Sequence, residues 1–232
     1  MTALALRLCA VFAFGLALAS CQAAARPVVV ELYESQGCSS CPPANANLST
    51  VADRPDVIAL NFAVTYWDNL GWKDTFAHPA FTARQVDYAR GLHHGDGVFT
   101  PQVVVDGRHD GVGADPGDFA RLLSQGASHD PAPAITLAPA VASIAAAPSP
   151  TPPADVWLVR YDPRVLQVPI RAGENSGKTL PHRNIVRELT RLGAYTGAAT
   201  ALRLPPPTEP QLVTVILVQA PHGGPILAAA KG

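Results

Sequence analysis

Charged side chains are scarce in this chain of 232 residues. Asp, Glu, Lys and Arg make up 15% of it, and 17 basic against 18 acidic side chains leave a formal charge of −1. A balance of this kind provides no basic surface for nucleic acid, and no cluster of basic and aromatic residues provides one locally. We therefore predict no nucleic-acid partner. Hydrophobic residues make up 48% of the chain, which is enough for a packed core.

Long apolar runs are missing outside the N-terminus. Residues 8–18 are continuously apolar, which is too short to span a bilayer but suits a signal peptide. We therefore predict that residues 1–25 are a signal peptide. Ala23-Ala24-Ala25 offers an ordinary cleavage site, whereas Leu18-Ala19-Ser20-Cys21 resembles a bacterial lipobox with Cys21 as the lipidated residue. Both routes predict a periplasmic or secreted protein, and the second predicts an outer-membrane lipoprotein tethered through Cys21.

Only two cysteines remain beyond this region. Of the four in the chain, Cys9 and Cys21 lie in the signal region or at its edge, which leaves Cys38 and Cys41. Outside the cytoplasm such a pair can form a disulfide. The β-branched run at residues 28–33 predicts a strand before the pair, and two prolines followed by apolar residues at helical spacing predict a helix after it. The cysteines are thus expected where a strand passes into a helix.

A CxxC pair at the start of a helix can exchange disulfides. Free backbone N–H groups and the helix dipole stabilise a thiolate on the first cysteine. We expect Cys38, as the more accessible residue, to attack a substrate disulfide and Cys41 to resolve the mixed disulfide. The competing interpretation is a structural staple. Chain entropy gives roughly 2 kcal/mol for so short a loop, which is little for a protein with this much core.

A distant segment supports the redox interpretation. Thr100-Pro101 directly precedes a predicted strand at 102–106, a position that suits a cis proline opposite the active site. Patterns from residue 28 onwards predict the order β-α-β-α-β-β-α, with Asp115 as the N-cap of the last helix. From residue 126 the composition shifts to Ala, Pro and Ser, and the later apolar runs alternate or are β-branched. The second half is therefore predicted to be β-rich, although residues 185–192 fit either a short helix or a strand.

Several of these segments are similar to the motifs of one family of secreted thioredoxin-like proteins, which is classed as a domain of unknown function. The matching segments are Glu31-Leu32-Tyr33, residues 35–44, Tyr66-Trp67-Asp68, residues 70–74, residues 81–85, residues 100–107, Gly173-Glu174-Asn175 and Arg183-Asn184. The resemblance implies an α/β fold whose thioredoxin-like domain, at residues 28–127, has a central mixed sheet flanked by helices. A linker at 128–134 and a smaller β-rich accessory domain at 135–232 would follow.

Other side chains are candidates for supporting roles. Thr100 and Pro101 are expected beside the cysteines. Trp67, Asp68 and Trp72 could line a substrate groove there, although aromatic residues are as readily explained by core packing. Glu31 lies on the strand that leads to the pair. It is interpreted either as a buried proton acceptor for Cys41 or as a solvent-facing acid, since alternation does not say which face is buried.

Together these patterns predict an exported thiol–disulfide oxidoreductase that acts on protein or small-molecule thiols and disulfides without a cofactor. The alternative is a non-catalytic module that uses a thioredoxin scaffold to bind a partner protein or a copper or zinc ion. One CxxC supplies only two of the four ligands of a structural zinc site, and no histidine pair stands at ligand spacing beside it. No metal site is therefore assigned.

Overall fold

The computed structural model describes residues 26–95, 97–126, 132–147 and 153–232. The predicted signal peptide, including Cys21, lies outside the described residues. The described helices are α1 (Cys41–Val51), α2 (Pro79–Gly91) and α3 (Pro116–Gln125). The described strands are β1 (Val28–Glu34), β2 (Val57–Ala63), β3 (Gln102–Val105), β4 (His109–Gly111), β5 (Ile135–Ala138), β6 (Val141–Ile144), β7 (Ala154–Asp162), β8 (Leu166–Pro169), β9 (Thr179–His182), β10 (Ile185–Tyr195), β11 (Thr200–Arg203), β12 (Val213–Gln219) and β13 (Ile226–Lys231).

The centre of the fold is a mixed sheet of eight strands in the order β13-β12-β7-β10-β2-β1-β3-β4. The pairs β1–β2 and β2–β10 are parallel, whereas the other pairs in this sheet are antiparallel. Two small sheets, β11-β6-β5 and β8-β9, accompany it. The protein therefore has a mixed α/β fold with a large central sheet and few helices. Among the described residues, no helix is long and apolar enough to cross a membrane.

The predicted element order up to α3 is confirmed. Asp115 caps α3 as its sequence predicts, because its carboxylate accepts hydrogen bonds from the N–H groups of Gly117 and Asp118. In the second half the described residues form strands and no helix. Residues 185–192 belong to strand β10, where nine of its residues pair with β7 and two register shifts interrupt the ladder. The helical alternative for this segment is therefore wrong.

The central sheet runs across the predicted linker. Strand β10 joins β2 through the single register pair Ile185↔Asn61, and the Asn61 N–H donates to the Asn184 carbonyl at 3.0 Å. Side chains reinforce this junction, because Asn184 Nδ2 donates to the Ala59 carbonyl at 2.9 Å. Strands of both halves thus form one sheet. The division into two domains stays a prediction, and of the linker only residues 132–134 are described.

The two faces of β1 pack against different layers because alternate side chains point to opposite sides of a strand. Val30 and Leu32 are buried with Ala44 and Leu48 of α1. The other face carries Tyr33, which belongs to the aromatic core beneath α2. Only polar residues of β1 that share a face with Val30 and Leu32 can therefore point towards α1 and the cysteine loop before it.

Asn184 offers a test of the junction between the halves. It is buried and has a φ of 53°, a left-handed conformation. In Asn184→Gly the Ala59 carbonyl loses its side-chain donor, so we expect the free energy of unfolding to fall by about 1–3 kcal/mol. In Asn184→Ala the left-handed backbone adds a further cost of about 1 kcal/mol. Urea unfolding of both variants measures these changes. Equal stabilities for the Gly and Ala variants would contradict the argument.

Candidate functional site

Cys38 and Cys41 lie at the predicted passage from strand to helix. They are joined in a disulfide with their Cα atoms 5.5 Å apart. Strand β1 ends at Glu34, and α1 begins at Cys41 with Pro42 in its first turn. The N-cap residue Ser40 makes no side-chain capping bond to α1. The cysteine loop, residues 35–40, is thus placed at the positive end of a helix dipole.

The expected accessibility of Cys38 is wrong. Its side chain is 0% exposed, and that of Cys41 is 1% exposed. The reason is a connection from far along the chain, between β8 and β9, which lies against the cysteine loop. Asn175 Nδ2 donates to the Gln36 carbonyl at 3.0 Å and to the Cys38 carbonyl at 2.9 Å. The local pattern of strand, CxxC and helix carries no sign of this cover.

The Thr100–Pro101 peptide bond is cis, as predicted, and Pro101 is buried. It precedes β3, whose Gln102 pairs with Tyr33 near the end of β1. Trp67 Nε1 donates to Thr100 Oγ1 at 2.7 Å. A Cβ atom at Gly37 of the cysteine loop would lie 3.7 Å from the Trp67 Cβ atom. The structure therefore gathers Trp67 and the Thr100–Pro101 segment beside the cysteine loop.

Trp72 and Asp68 support the cysteine loop from a second side. Trp72 Nε1 donates to Gln36 Oε1 at 2.9 Å. Asp68 Oδ1 accepts from the Asp74 N–H at 3.0 Å, and Asp74 Oδ2 in turn accepts from the Gln36 N–H at 2.7 Å. Trp67 and Trp72 are half-buried and pack on apolar clusters while their indole N–H groups point to polar partners. Core packing therefore accounts for a part of each side chain, and the lining of a substrate groove stays a prediction.

Glu31 is buried, but it does not face the cysteines. It lies on the same face of β1 as Tyr33, and the Tyr33 hydroxyl donates to it at 2.7 Å. Arg84 Nη2 donates to Glu31 Oε1 at 2.7 Å, and the Tyr88 hydroxyl donates to the same oxygen at 3.0 Å. This network packs beneath α2, on the opposite side of the sheet from α1. The proposed role of Glu31 as proton acceptor for Cys41 is therefore wrong.

The acid on the α1 face is Glu34. His182 Nδ1 lies 3.0 Å from Glu34 Oε1 and 3.0 Å from Asn45 Nδ2. Asn45 stands one helical turn after Cys41, so this group lies directly behind the disulfide. Glu34 and His182 are each 1% exposed, and His182 Nε2 is buried without a protein partner. Both also line a small cavity of about 50 Å³, with Pro42 of α1 on its wall.

Charges in this buried group influence one another. Burial and the neighbouring Glu34 carboxylate raise the pKa of Asp74 to about 6. Burial alone would lower the pKa of His182, but the adjacent Glu34 carboxylate outweighs it and raises that pKa. A protonated His182 beside two carboxylates compensates charges that would otherwise be costly to bury.

Sequence signals for these residues differ in quality. Glu34 could have been found from alternation, because it shares a face with Val30 and Leu32. Glu174 and Asn175 belong to a segment that matches a family motif, but the motif indicates no role for them. His182 carries no local signal, since its partner Glu34 lies 148 positions away.

Two histidines of the first half contact other protein groups. His78 Nδ1 accepts from the Ala80 N–H and so caps α2, and His94 Nε2 lies 3.1 Å from Asp110 Oδ2. Within the described ranges, no group of three or more His, Cys, Asp or Glu residues is arranged to hold a metal ion.

The charge on His182 predicts a pH dependence of stability. Because the pKa of His182 is raised in the fold, its stabilising contribution is present below its ordinary value of 6.5 and is lost as the pH rises through the folded value. We expect the free energy of unfolding to decline as the pH rises above about 6.5, and to decline less steeply in His182→Gln. Urea unfolding at several pH values measures the slopes. Replacement of the exposed His222 by Gln is the control, and equal slopes for the wild type and His182→Gln would refute the prediction.

Comparison with known proteins gives a family but no activity. No curated protein is significantly similar to this chain. Its fold is similar to the X-ray crystal structure of a structural-genomics target from Agrobacterium tumefaciens, with 29% identity and a TM-score of 0.70 over 89% of this chain and 94% of that chain. HBP35 of Porphyromonas gingivalis shares 11% identity at a TM-score of 0.59 over 90% of this chain and 75% of that chain, a likeness of fold alone. The family described as "Protein of unknown function (DUF1223)" matches residues 29–219, and the chain belongs to that family.

Proposed function

We propose that this protein is an exported thiol–disulfide oxidoreductase whose first half is thioredoxin-like and whose reactive group is the Cys38–Cys41 disulfide. The observation that carries the proposal is the position of this disulfide. It stands between the end of β1 and the start of α1, next to the segment that contains the cis Thr100–Pro101 bond. Export is inferred from the predicted signal peptide, and lipidation at Cys21 would tether the protein to a membrane.

The chemistry is a two-electron exchange with a substrate dithiol or disulfide. In the oxidising direction, a substrate thiolate attacks Cys38 Sγ, the Cys38–Cys41 bond breaks, and Cys41 leaves as a thiolate that takes up a proton. The second substrate thiolate then attacks the substrate sulfur of the mixed disulfide and displaces Cys38 as a thiolate. The substrate ends as a disulfide and the protein as a dithiol. The reverse sequence reduces a substrate disulfide, with Cys38 as the attacking group.

Neighbouring groups favour Cys38 as the exchanging sulfur. The first residue of a CxxC pair at a helix start is stabilised as a thiolate by the helix dipole. Cys38 Sγ also lies 3.3 Å from the Ser40 hydroxyl, which can donate a hydrogen bond to a thiolate there. Cys41 stands on the inner side of α1, one turn from Asn45 and the Glu34–His182 pair. These groups can hold or pass the proton that Cys41 exchanges on leaving.

Substrates are expected at the edge formed by Trp67, Thr100 and Pro101. Trp67 and Thr100 are half-buried, and a hydrogen bond fixes one against the other. A peptide or small thiol held at this edge would lie next to the cysteine loop. The proposed partners are therefore protein or small-molecule thiols and disulfides, with no additional cofactor.

One observation favours the alternative, a non-catalytic module in which the disulfide is structural. Both sulfurs are buried in the oxidised protein, and structural disulfides resist exchange. The energy of so short a loop argues in the other direction, because its closure contributes only about 2 kcal/mol of stability by chain entropy. The reduction potential separates these two functions directly.

The first experiment equilibrates the purified protein in graded glutathione buffers and reads its redox state by the mass shift on alkylation. We expect a midpoint between about −120 and −270 mV, the range of working exchangers. A midpoint below about −300 mV would identify a structural disulfide and refute the oxidoreductase function.

Single cysteine variants assign the attacking sulfur. In Cys41→Ser the resolving thiol is missing, so we expect a mixed disulfide between Cys38 and glutathione to accumulate in oxidised glutathione. Cys38→Ser is the matched control, because it retains one thiol but lacks the exchanging one. Intact-mass spectrometry detects the glutathione adduct. More adduct in Cys38→Ser than in Cys41→Ser would assign the exchange to Cys41 instead.

A further inference from the structure

One peptide group of the cysteine loop is held at both of its polar ends by a single distant segment. The Ser39 N–H donates to Glu174 Oε2 at 3.0 Å, and the Cys38 carbonyl accepts from Asn175 Nδ2 at 2.9 Å. The N–H and the carbonyl belong to the same peptide group, the one that links Cys38 to Ser39. We call residues 173–178 the latch segment, because its two side chains close on that group.

The latch segment is built as a compact unit. Its backbone folds back on itself through hydrogen bonds from the Ser176 N–H to the Gly173 carbonyl and from the Lys178 N–H to the Asn175 carbonyl. Asn175 is 0% exposed, and its Oδ1 accepts from Lys178 Nζ at 2.9 Å. Gly173 has a φ of 74°, and a Cβ atom there would lie 3.2 Å from the Trp72 Cβ atom. Glycine therefore permits both the turn and the close approach of the latch segment to Trp72.

Glu174 brings a negative charge to this peptide group. Hydrogen bonds from Ser39 hold the pKa of the Glu174 carboxyl below its ordinary value, so the side chain is ionised at neutral pH. Its carboxylate occupies a backbone N–H donor directly next to Cys38, just before the N-cap of α1. In the oxidised protein Cys38 is uncharged. The Glu174 carboxylate then attracts the partially positive Ser39 N–H, and Cys38 adds no second negative charge.

Reduction changes that balance. When a dithiol or a phosphine supplies two electrons, the Cys38–Cys41 bond breaks and two thiols form. Loss of the Cys38 proton to solvent then places a thiolate beside the Glu174 carboxylate. The Cys38 thiolate and the Glu174 carboxylate then lie at the same helix start, and these like charges repel each other. Other charged groups near the loop are Lys178 on the latch segment and, within the first half or packed against it, Asp68, Asp74, Glu34 and His182.

We propose that the latch segment is a redox-sensitive cover: it closes on the oxidised disulfide and releases when Cys38 becomes a thiolate. This inference rests on the proposed function, for which the pair must be reducible. It also explains how a Cys38 that is buried in the oxidised protein can become reactive after reduction. Closure favours the oxidised state over the reduced one, so Glu174 biases the pair towards giving electrons to substrate disulfides.

Hydrogen exchange of the full protein tests the release. Backbone exchange within residues 173–178 is compared at about pH 8 between the oxidised protein and protein reduced with a phosphine, which reduces even a stable disulfide. We expect faster exchange in the reduced wild type, and a smaller difference in Glu174→Gln, whose neutral amide can keep the bond to Ser39. In Cys38→Ser the reductant should have no effect. Equal protection of the latch segment in both wild-type states would overturn the proposal.

The rate at which reduced Cys38 is alkylated supplies a readout that mere folding would not change. In Glu174→Gln we expect alkylation below neutral pH to be roughly three- to tenfold faster, because one repelling charge is gone. The glutathione equilibrium should shift by the same factor towards the reduced form, or about 14–30 mV towards less negative potentials. Glu209→Gln removes a carboxylate elsewhere and is the matched control. Unchanged alkylation in Glu174→Gln would also overturn the proposal.

These results are distinguishable from a failure of the proposed function. If the midpoint lies below −300 mV, exchange with glutathione fails, but the phosphine-reduced protein still reports whether the latch segment opens. Conversely, a working midpoint with a latch segment equally protected in both states leaves the oxidoreductase intact and removes only the cover.

Discussion

The pairing of β10 with β2 is the interaction on which the candidate site depends. It consists of one register pair, Ile185↔Asn61, and the hydrogen bonds of Asn184 to the neighbouring strand. Strand β9 ends three residues before Ile185, so the junction fixes where β9 and the connection before it must lie. That position is the end of β1, above the cysteine loop. Without this pairing, the cysteine loop would lack the contacts of Asn175, Glu34 would lack that of His182, and the Cys38–Cys41 disulfide would lie at an open helix start.

Strand β1 carries one buried acid on each face of the sheet, and each acid lies beside a basic side chain. Glu31 faces the aromatic core and is balanced by Arg84, whereas Glu34 faces α1 and is balanced by His182. A buried carboxylate without a partner would cost several kcal/mol, so each acid needs its own cation. Arg84 comes from α2, close in the first half, but His182 comes from the second half. The first half therefore does not neutralise its own site, which is a physical reason for the two halves to share a sheet.

Local sequence patterns predicted those parts of the fold that depend on residues close together in the chain. The strand before Cys38, the helix after Pro42, the cap of α3 at Asp115 and the cis bond at Pro101 all follow from residues within a few positions. The wrong predictions concern contacts between distant residues. Alternation gives the parity of Glu31 but not the side of the sheet on which it lies, so it could not exclude a role beside Cys41. Cys38 was expected to be accessible because the local sequence carries no sign of its cover, which comes from residue 175. Residues 185–192 form a strand because β7 pairs with them, which their own sequence could not decide.

Burial of the disulfide and its reaction with a substrate require opposite properties of the cysteine loop. An exchanging sulfur must be reached by a substrate thiolate in line with the disulfide, whereas a buried sulfur with its peptide group bound at both ends can be reached only when its cover opens. Here the groups that bind the Cys38–Ser39 peptide are side chains on a compact segment outside the helix and strand that hold the cysteines. In the proposed cover, the latch segment can therefore move while Cys38 in the loop and Cys41 at the start of α1 keep their positions. In the proposed oxidoreductase, the first half would supply the chemistry of the pair, and the second half would control when the pair can be reached.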